Sequence, residues 1–403
     1  MKRTTTLLTL LPIITASFLL PVTVKAQQEA SSDTVIEIKI TKEATDDKAS
    51  DEALLQKDRP RIQIALLLDT SNSMDGLIDQ AKAQLWSIVN SLVETKKDGK
   101  TPLVQVALFE YGNDKLPVTE DYLRQVVPLT TDLDKLSEAL FALKTDGGSE
   151  YCGAAIGNAT RVLNWEAGDG AYKAIFIAGN EPFDQGQTDF NVVCSDARSK
   201  GIVVNTIHCG PENVGVEGKW KQGADVGGGR YMVINSDKKV VSIPCPQDEV
   251  LLRLNTRLNK TYIPYGSHGK EGKARQLAQD EAQAGSSLTT RVQSKGNAAL
   301  YSNATWDLLD AMKEKKVELK SLDKKTLPEA MQKMSAEDLE KHIKSLQEQR
   351  DKIQKEIAKV SKERAEYLAN EIGKKAESGQ EATLGDVLNR AAIEQAETRG
   401  FKK

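Results

Sequence analysis

The sequence predicts an α/β fold, a doubly wound and mostly parallel sheet, followed by a helical and partly coiled-coil C-terminal region. Two observations predict it. Between residues 61 and 260, short apolar runs bounded by turn residues alternate with amphipathic helical patterns. From residue 305 to residue 403, apolar residues recur at helical and then heptad spacing.

The composition of the 403 residues fits a folded chain and disfavours several classes of protein. Lys and Arg number 55 against 58 Asp and Glu, a net charge of −3. That balance is unlike a basic nucleic-acid binder or a strongly acidic disordered chain. With three His and four Cys, neither a His-rich metalloenzyme nor a dense disulfide scaffold is expected.

The first 26 residues have the pattern of a secretory signal peptide. Met1-Lys2-Arg3 is basic, residues 7–22 are mostly apolar, and Ala26 offers a small residue for cleavage. An uncleaved membrane anchor is the alternative, but the apolar run is shorter than the roughly 20 residues that span a bilayer. We therefore expect an exported protein, periplasmic or extracellular, whose mature chain has no transmembrane segment. Residues 27–60 are polar and read as a tether or a lone edge strand.

The sheet domain is assigned to residues 61–260. Strands are predicted at 61–68, 103–111, 124–129, 174–178, 202–207 and 230–234, and helices at 77–93, 133–143, 153–163, 192–199 and 248–258. Largely apolar strands are typical of a parallel sheet that is covered on both faces. In such sheets ligands bind beyond the carboxyl ends of the strands.

The C-terminal third combines a polar stretch with a heptad pattern. Residues 261–304 read as an extended connector and 306–322 as a helix, and Ser335 with Asp338 forms a capping box ahead of a longer helix. A seam follows at Leu339, Ile343, Leu346, Arg350, Ile353, Ile357, Val360, Arg364 and Tyr367. It predicts either a parallel homodimer or a hairpin folded back on the 306–322 helix. Thr383 and Asp386 cap a final helix that runs to residue 396.

One motif carries chemistry. Asp69-Thr70-Ser71-Asn72-Ser73 directly follows the first buried strand and precedes a helix that begins near Asp75. A carboxylate and two hydroxyls on one tight turn are hard oxygen ligands that suit Mg²⁺. The alternative is that Ser71, Ser73 and Asp75 only cap the following helix.

This motif resembles the metal-ion-dependent adhesion site of von Willebrand factor type A domains, which opens with Asp-x-Ser-x-Ser. The resemblance implies that Asp69, Ser71 and Ser73 bind a divalent cation, Mg²⁺ or another such as Mn²⁺ or Ca²⁺. Ser149 occupies the position of the family's Thr in the second loop. Asn180 stands where the family usually has Asp, so one negative charge is lost.

Two neighbouring acids, Glu181 and Asp146, could replace the lost charge. The resemblance further implies a binding protein, because a carboxylate from a partner protein can fill the open position on the cation. The alternative is a structural scaffold with a degenerate metal site, in which the coiled coil carries the interaction.

The cysteines and histidines give weaker signals. Cys152, Cys194, Cys209 and Cys245 all lie in the sheet domain. A Cys152–Cys194 bridge would join two loops of the site, whereas buried reduced thiols are the alternative. His208 is the one histidine of the sheet domain, and no residue set supplies a nucleophile with its base, so we expect no enzymatic activity.

Overall fold

The computed structural model describes residues 59–168, 170–237, 243–375 and 383–402. The predicted signal peptide and nearly all of the predicted tether lie outside these residues. All described residues belong to one compact unit. Within them, no helix is both long and apolar enough to cross a membrane.

A six-stranded sheet forms the centre of the fold, and the six predicted strands are confirmed. The strands are β1 (Arg61–Asp69), β2 (Leu103–Tyr111), β3 (Leu123–Thr130), β4 (Tyr172–Gly179), β5 (Ile202–Cys209) and β6 (Gly228–Ile234). Their order is β3-β2-β1-β4-β5-β6. All neighbouring strands are parallel except β3, which runs antiparallel to β2. The predicted fold class is therefore confirmed.

Helices connect and cover these strands. They are α1 (Asp75–Val93), α2 (Leu133–Ala142), α3 (Cys152–Val162), α4 (Phe190–Ser199), α5 (Glu212–Glu217), α6 (Trp220–Gly227), α7 (Pro246–Asn259), α8 (Gly269–Ala282), α9 (Gly285–Gly296), α10 (Leu308–Lys313), α11 (Glu329–Gln332), α12 (Ala336–Lys375) and α13 (Leu384–Thr398).

Each face of the sheet has its own core, which explains the nearly unbroken apolar strands. In β1, Ile64 and Leu66 point into a core shared with α1, α7 and α13, whereas Ala65 and Leu67 point into a core shared with α3, α4 and α6. Burial on both faces favours apolar residues at every position of a strand.

The extended connector predicted at 261–304 is contradicted, because α8 and α9 lie within it. Several polar residues of these two helices are buried, although their sequence resembles an exposed segment. Arg291, which is fully buried, pairs with Asp134 at 2.5 Å and with Asp280 at 2.7 Å. Lys295, also fully buried, pairs with Asp280 at 2.8 Å. These residues look like a solvated surface in the sequence, but they form an internal ionic network.

The helix predicted at 306–322 is shorter than expected. It ends at Lys313, and Lys315 adopts a left-handed backbone with φ of 57°, which a continuing α-helix does not allow. The two predicted capping pairs are present. The amide of Asp338 donates to Ser335 Oγ at 3.1 Å, and the amide of Thr383 donates to Asp386 at 2.9 Å.

The heptad seam lies on α12, and most of its residues pack against other segments of the same chain. Helix α12 packs against α7 and α9. Leu339 and Ile343, near its start, share a core with Leu308 and Leu309 of α10. Of the two predicted alternatives, the structure shows the intramolecular one, although α7 and α9 contribute more of the contact than the segment at 306–322.

Candidate metal centre

The sequence motif lies where the strand order reverses. Strand β1 has β2 on one side and β4 on the other, and Asp69 is the last residue of β1. Loops that leave neighbouring parallel strands in opposite directions open a crevice at this point, which is the usual ligand site of a doubly wound sheet.

Asp69 is fully buried and only partly satisfied by hydrogen bonds. Its Oδ1 accepts from the amide of Ser71 at 2.8 Å. Its Oδ2 has no hydrogen-bond partner among the described residues. A Cβ at Gly179 would lie 2.9 Å from that Oδ2 and 2.5 Å from Tyr111 Oη. Glycine at 179 therefore keeps the space beside the orphaned oxygen open.

Ser71, Ser73 and Asn180 converge beside this carboxylate. The hydroxyl oxygens of Ser71 and Ser73 are 3.3 Å apart, and Asn180 Nδ2 donates to Ser73 Oγ at 3.2 Å. The Oδ1 atom of Asn180 is buried without a partner among the described residues. The structure thus brings together four of the five predicted ligands.

Ser149, the fifth predicted ligand, lies on a second loop that is hydrogen-bonded to the loop after β1. The amide of Asp146 donates to Thr70 O at 3.0 Å, and the amide of Asp114 donates to Gly147 O at 2.5 Å. Ser149 follows two residues later and is half-buried. Its assignment as a ligand remains a prediction.

Helix capping does not account for the two serines. Neither Ser71 nor the residue that precedes α1, Met74, makes a side-chain cap hydrogen bond. The hydroxyl of Thr145 donates to Asp75, so that carboxylate is engaged by the second loop. The Ser71 and Ser73 hydroxyls instead contact each other, and that of Ser73 accepts from Asn180.

Of the two acids considered as replacement charges, only Glu181 acts on the centre. Asp146 is paired with Lys115 at 2.5 Å, and this contact lowers the pKa of Asp146. Burial is the largest cause of the raised pKa of Asp69 and of Glu150, and charge repulsion from Glu181 adds to both.

Glu150, which is not among the ligands predicted from the sequence, is the second acid of the centre. Burial raises the pKa of Glu150 to about 7, and repulsion from Glu181 adds to it. Burial likewise raises the pKa of Asp69 to about 7, against hydrogen bonds from Ser71 that lower it, with repulsion from Glu150 as a further cause. The only available signal was its position next to Ser149. Within the described residues, no three His, Cys, Asp or Glu side chains are placed to hold a metal ion together, so a cation here would depend on hydroxyl and amide oxygens as well.

The predicted Cys152–Cys194 bridge is not present, since both cysteines are buried thiols. Cys152 instead contacts Tyr111, with its Sγ 3.7 Å from the hydroxyl. Burial raises the pKa of Cys194 to about 12. Such thiols stay protonated and unreactive, in line with the alternative of buried reduced cysteines.

Residues 63–236 match the family model for the von Willebrand factor type A domain. The chain is similar to the SpRpn10 VWA domain, with 15% identity, a TM-score of 0.34, and coverage of 43% of this chain and 88% of that one. It is also similar to BatB from Bacteroides thetaiotaomicron, with 19% identity, a TM-score of 0.33, and coverage of 43% and 90%. An aerotolerance-related membrane protein from Bacteroides fragilis matches with 18% identity, a TM-score of 0.30, and coverage of 44% and 93%. No curated protein sequence matches the chain.

Proposed function

We propose that this chain is a non-enzymatic, exported binding protein. Residues 63–236 form a von Willebrand factor type A domain, a fold that typically mediates protein–protein interaction. Its partner is a protein that presents a carboxylate to a divalent cation. The ligands proposed for that cation are Asp69, Ser71, Ser73, Ser149 and Asn180.

The observation that carries this proposal is a pair of buried oxygen acceptors without donors. Asp69 Oδ2 and Asn180 Oδ1 both lack a hydrogen-bond partner among the described residues. Buried polar atoms are nearly always satisfied, so each exception needs an explanation. A hard cation would satisfy both oxygens at once, and the Ser71 and Ser73 hydroxyls beside them are ligands of the same kind.

Mg²⁺ is the ion that this donor set suits best. It binds through one or two carboxylates and keeps several waters, and a crevice with few acids meets that preference. Mn²⁺ and Ca²⁺ are the alternatives. When bound, the ion supplies a positive charge on which a partner's carboxylate can replace a water.

Export is proposed from the N-terminal sequence, and the C-terminal region receives a supporting role. Seven of the nine seam residues of α12 are buried within the chain, against α7, α9 and α10, which leaves little of the seam for a dimer. We therefore favour a region that braces the sheet domain over the alternative of a scaffold that binds through a coiled coil.

Metal titration and partner capture test this function together. Isothermal titration of the mature chain with MgCl₂ is expected to show one site, and Asp69→Ala is expected to abolish it. Capture of a protein from exported fractions is expected to be lost in EDTA and restored by excess Mg²⁺. Asp225→Ala serves as the control, because Asp225 is an exposed carboxylate whose partner is Lys221 on the same helix. Absence of Mg²⁺ and Mn²⁺ binding, or capture that survives both EDTA and Asp69→Ala, would overturn the proposal.

A further inference from the structure

We propose that Glu150 is a further ligand of the cation, an assignment that rests on the proposed function. Glu150 lies between Ser149 and helix α3, and only 7% of its surface is exposed. A buried carboxylate is rare unless it has a partner of opposite charge or a metal.

Gly112 shows how close the two acids of the centre come. A Cβ at Gly112 would lie 2.7 Å from Glu150 Cγ and 3.0 Å from Asp69 Oδ1. The two side chains therefore flank the same point. Gly112 has a φ of 77°, in the left-handed region that favours glycine. Both the backbone and the space at this position therefore leave room for the Asp69 and Glu150 side chains on either side of Gly112.

No side chain of the described part of the chain neutralises this pair. Neither Asp69 nor Glu150 has a salt bridge there, and two basic residues of the neighbouring segments are engaged elsewhere. Lys115 pairs with Asp146, and Arg124 pairs with Glu110. Two buried carboxylates that share a site repel each other, which favours protonation of one of them or binding of a cation.

The orphaned oxygen of Asp69 favours the cation over the shared proton. A proton shared by Asp69 and Glu150 would satisfy oxygens on the Gly112 side of Asp69, where Oδ1 already accepts from Ser71. It would leave Asp69 Oδ2, on the Gly179 side, without a partner. A divalent cation satisfies both sides through its several ligands.

Glu150 also restores the charge that Asn180 removes. Asp69 alone would leave a divalent ion with one positive charge in excess, whereas Asp69 and Glu150 together balance it. The ion is then held by the chain itself, and its binding does not depend on the partner's carboxylate.

Titration of the full mature chain with MgCl₂ alone tests this assignment. Glu150→Gln keeps the size of the side chain and removes its charge, so we expect the affinity to fall about tenfold or more, at least the loss seen when a group that supports a ligand is removed. Asp146→Asn is the matched control on the same loop, because its half-buried carboxylate pairs with the exposed Lys115. We expect Asp146→Asn to change the affinity less than twofold.

A crystal structure of the unaltered protein with Mn²⁺ gives a readout that does not depend on the stability of the variant. The anomalous peak is expected within coordination distance of a Glu150 oxygen and of Asp69. If the wild type binds neither metal, the proposed function fails. If the wild type binds but Glu150→Gln binds equally well, or Glu150 does not contact the Mn²⁺ peak, only the Glu150 assignment is overturned.

Discussion

Near the carboxyl end of β5, the ring of His208 is buried. Only 1% of its surface is exposed, and neither ring nitrogen has a hydrogen-bond partner among the described residues. The ring packs on Trp220 with centroids 5.7 Å apart. A Cβ at Gly215 would lie 2.7 Å from the ring and would also contact the Tyr231 hydroxyl. Burial lowers the pKa of His208.

The lowered pKa predicts that the contribution of His208 to stability falls in acid. Below the ordinary His pKa of about 6.5, the unfolded chain takes up a proton at His208 that the folded chain does not, so this contribution to the free energy of unfolding decreases until the folded-state pKa is reached. The raised pKa values of Asp69 and Glu150 act in the opposite direction over the same range. Measured by urea denaturation between pH 7.5 and 5.5, His208→Gln is therefore expected to lose less stability, or to gain more, than the wild type. His268→Gln, at an exposed histidine, is expected to keep the wild-type pH dependence. Equal pH dependence in the wild type and His208→Gln would contradict the prediction.

Single residues of the metal centre could be predicted when they belong to one short turn. Asp69, Ser71 and Ser73 are neighbours in the chain, so the tight turn after β1 was enough to place them together. Asn180 was predicted only through the resemblance to the third loop of the family, and β4, which precedes it, lies beside β1 in the sheet. Glu150 could not be predicted, because its approach to Asp69 depends on the backbone of Gly112, a residue of another loop.

Among the helices, α12 shows how a heptad position can hold a polar anchor. Arg350, at a seam position, is 98% buried, with 2% of its surface exposed. Its guanidinium donates to Asp307 at 2.6 Å and to Asp310 at 3.0 Å, and it stacks over Tyr262 at 4.1 Å. It also donates to the Thr261 hydroxyl at 3.0 Å. The arginine joins α12 to the segments on both sides of α8 and α9.

Removing this anchor is expected to destabilise the protein strongly. Arg350→Ala leaves the fully buried Asp307 carboxylate without its cation, and breaking one side of a buried ion pair costs about 3–5 kcal/mol. Arg253→Ala is the control, because Arg253 forms an exposed pair with Glu249 within α7. Its free energy of unfolding should change by less than about 0.5 kcal/mol. Urea denaturation measures both, and a loss below about 1 kcal/mol for Arg350→Ala would show that the pair contributes little net stability.

Elements could be predicted from the sequence where apolar periodicity was strong and not where polar residues were buried. All six strands and the helices of the sheet domain from α1 to α4 follow from their apolar patterns. Helices α8 and α9 were not predicted, because polar residues such as Arg291 and Lys295 made this segment resemble a solvated connector. Both side chains are in fact 0% exposed. Only the three-dimensional structure shows that they form ion pairs with Asp134 and Asp280 on other helices.

At the scale of the whole molecule, the last described helix completes the sheet domain. Helix α13 packs against α1, β4 and β6. Gln395 accepts from the Tyr172 hydroxyl at 2.8 Å and donates to Asn205, a fully buried residue of β5, at 2.7 Å. The amide of Leu384 donates to Gln80 of α1 at 2.8 Å. A chain segment more than 120 residues beyond the predicted boundary at 260 thus covers part of the sheet, and a local sequence pattern does not contain such a contact.

The sheet domain is therefore expected to need α13 for its stability. Leu388 is fully buried in the core that includes α1, so Leu388→Ala should lower the free energy of unfolding by about 2–5 kcal/mol. Arg390→Ala, two residues along the same helix at an exposed position, should change it by less than about 0.5 kcal/mol. A chain that ends at residue 382 loses the whole helix, a loss comparable with the roughly 5–15 kcal/mol that stabilises a typical domain, and it should no longer unfold cooperatively in urea. Adding a peptide of residues 383–402 should restore part of the transition. A shortened chain that unfolds cooperatively, with the stability of the full chain, would show instead that residues 61–260 and their other neighbours fold without α13.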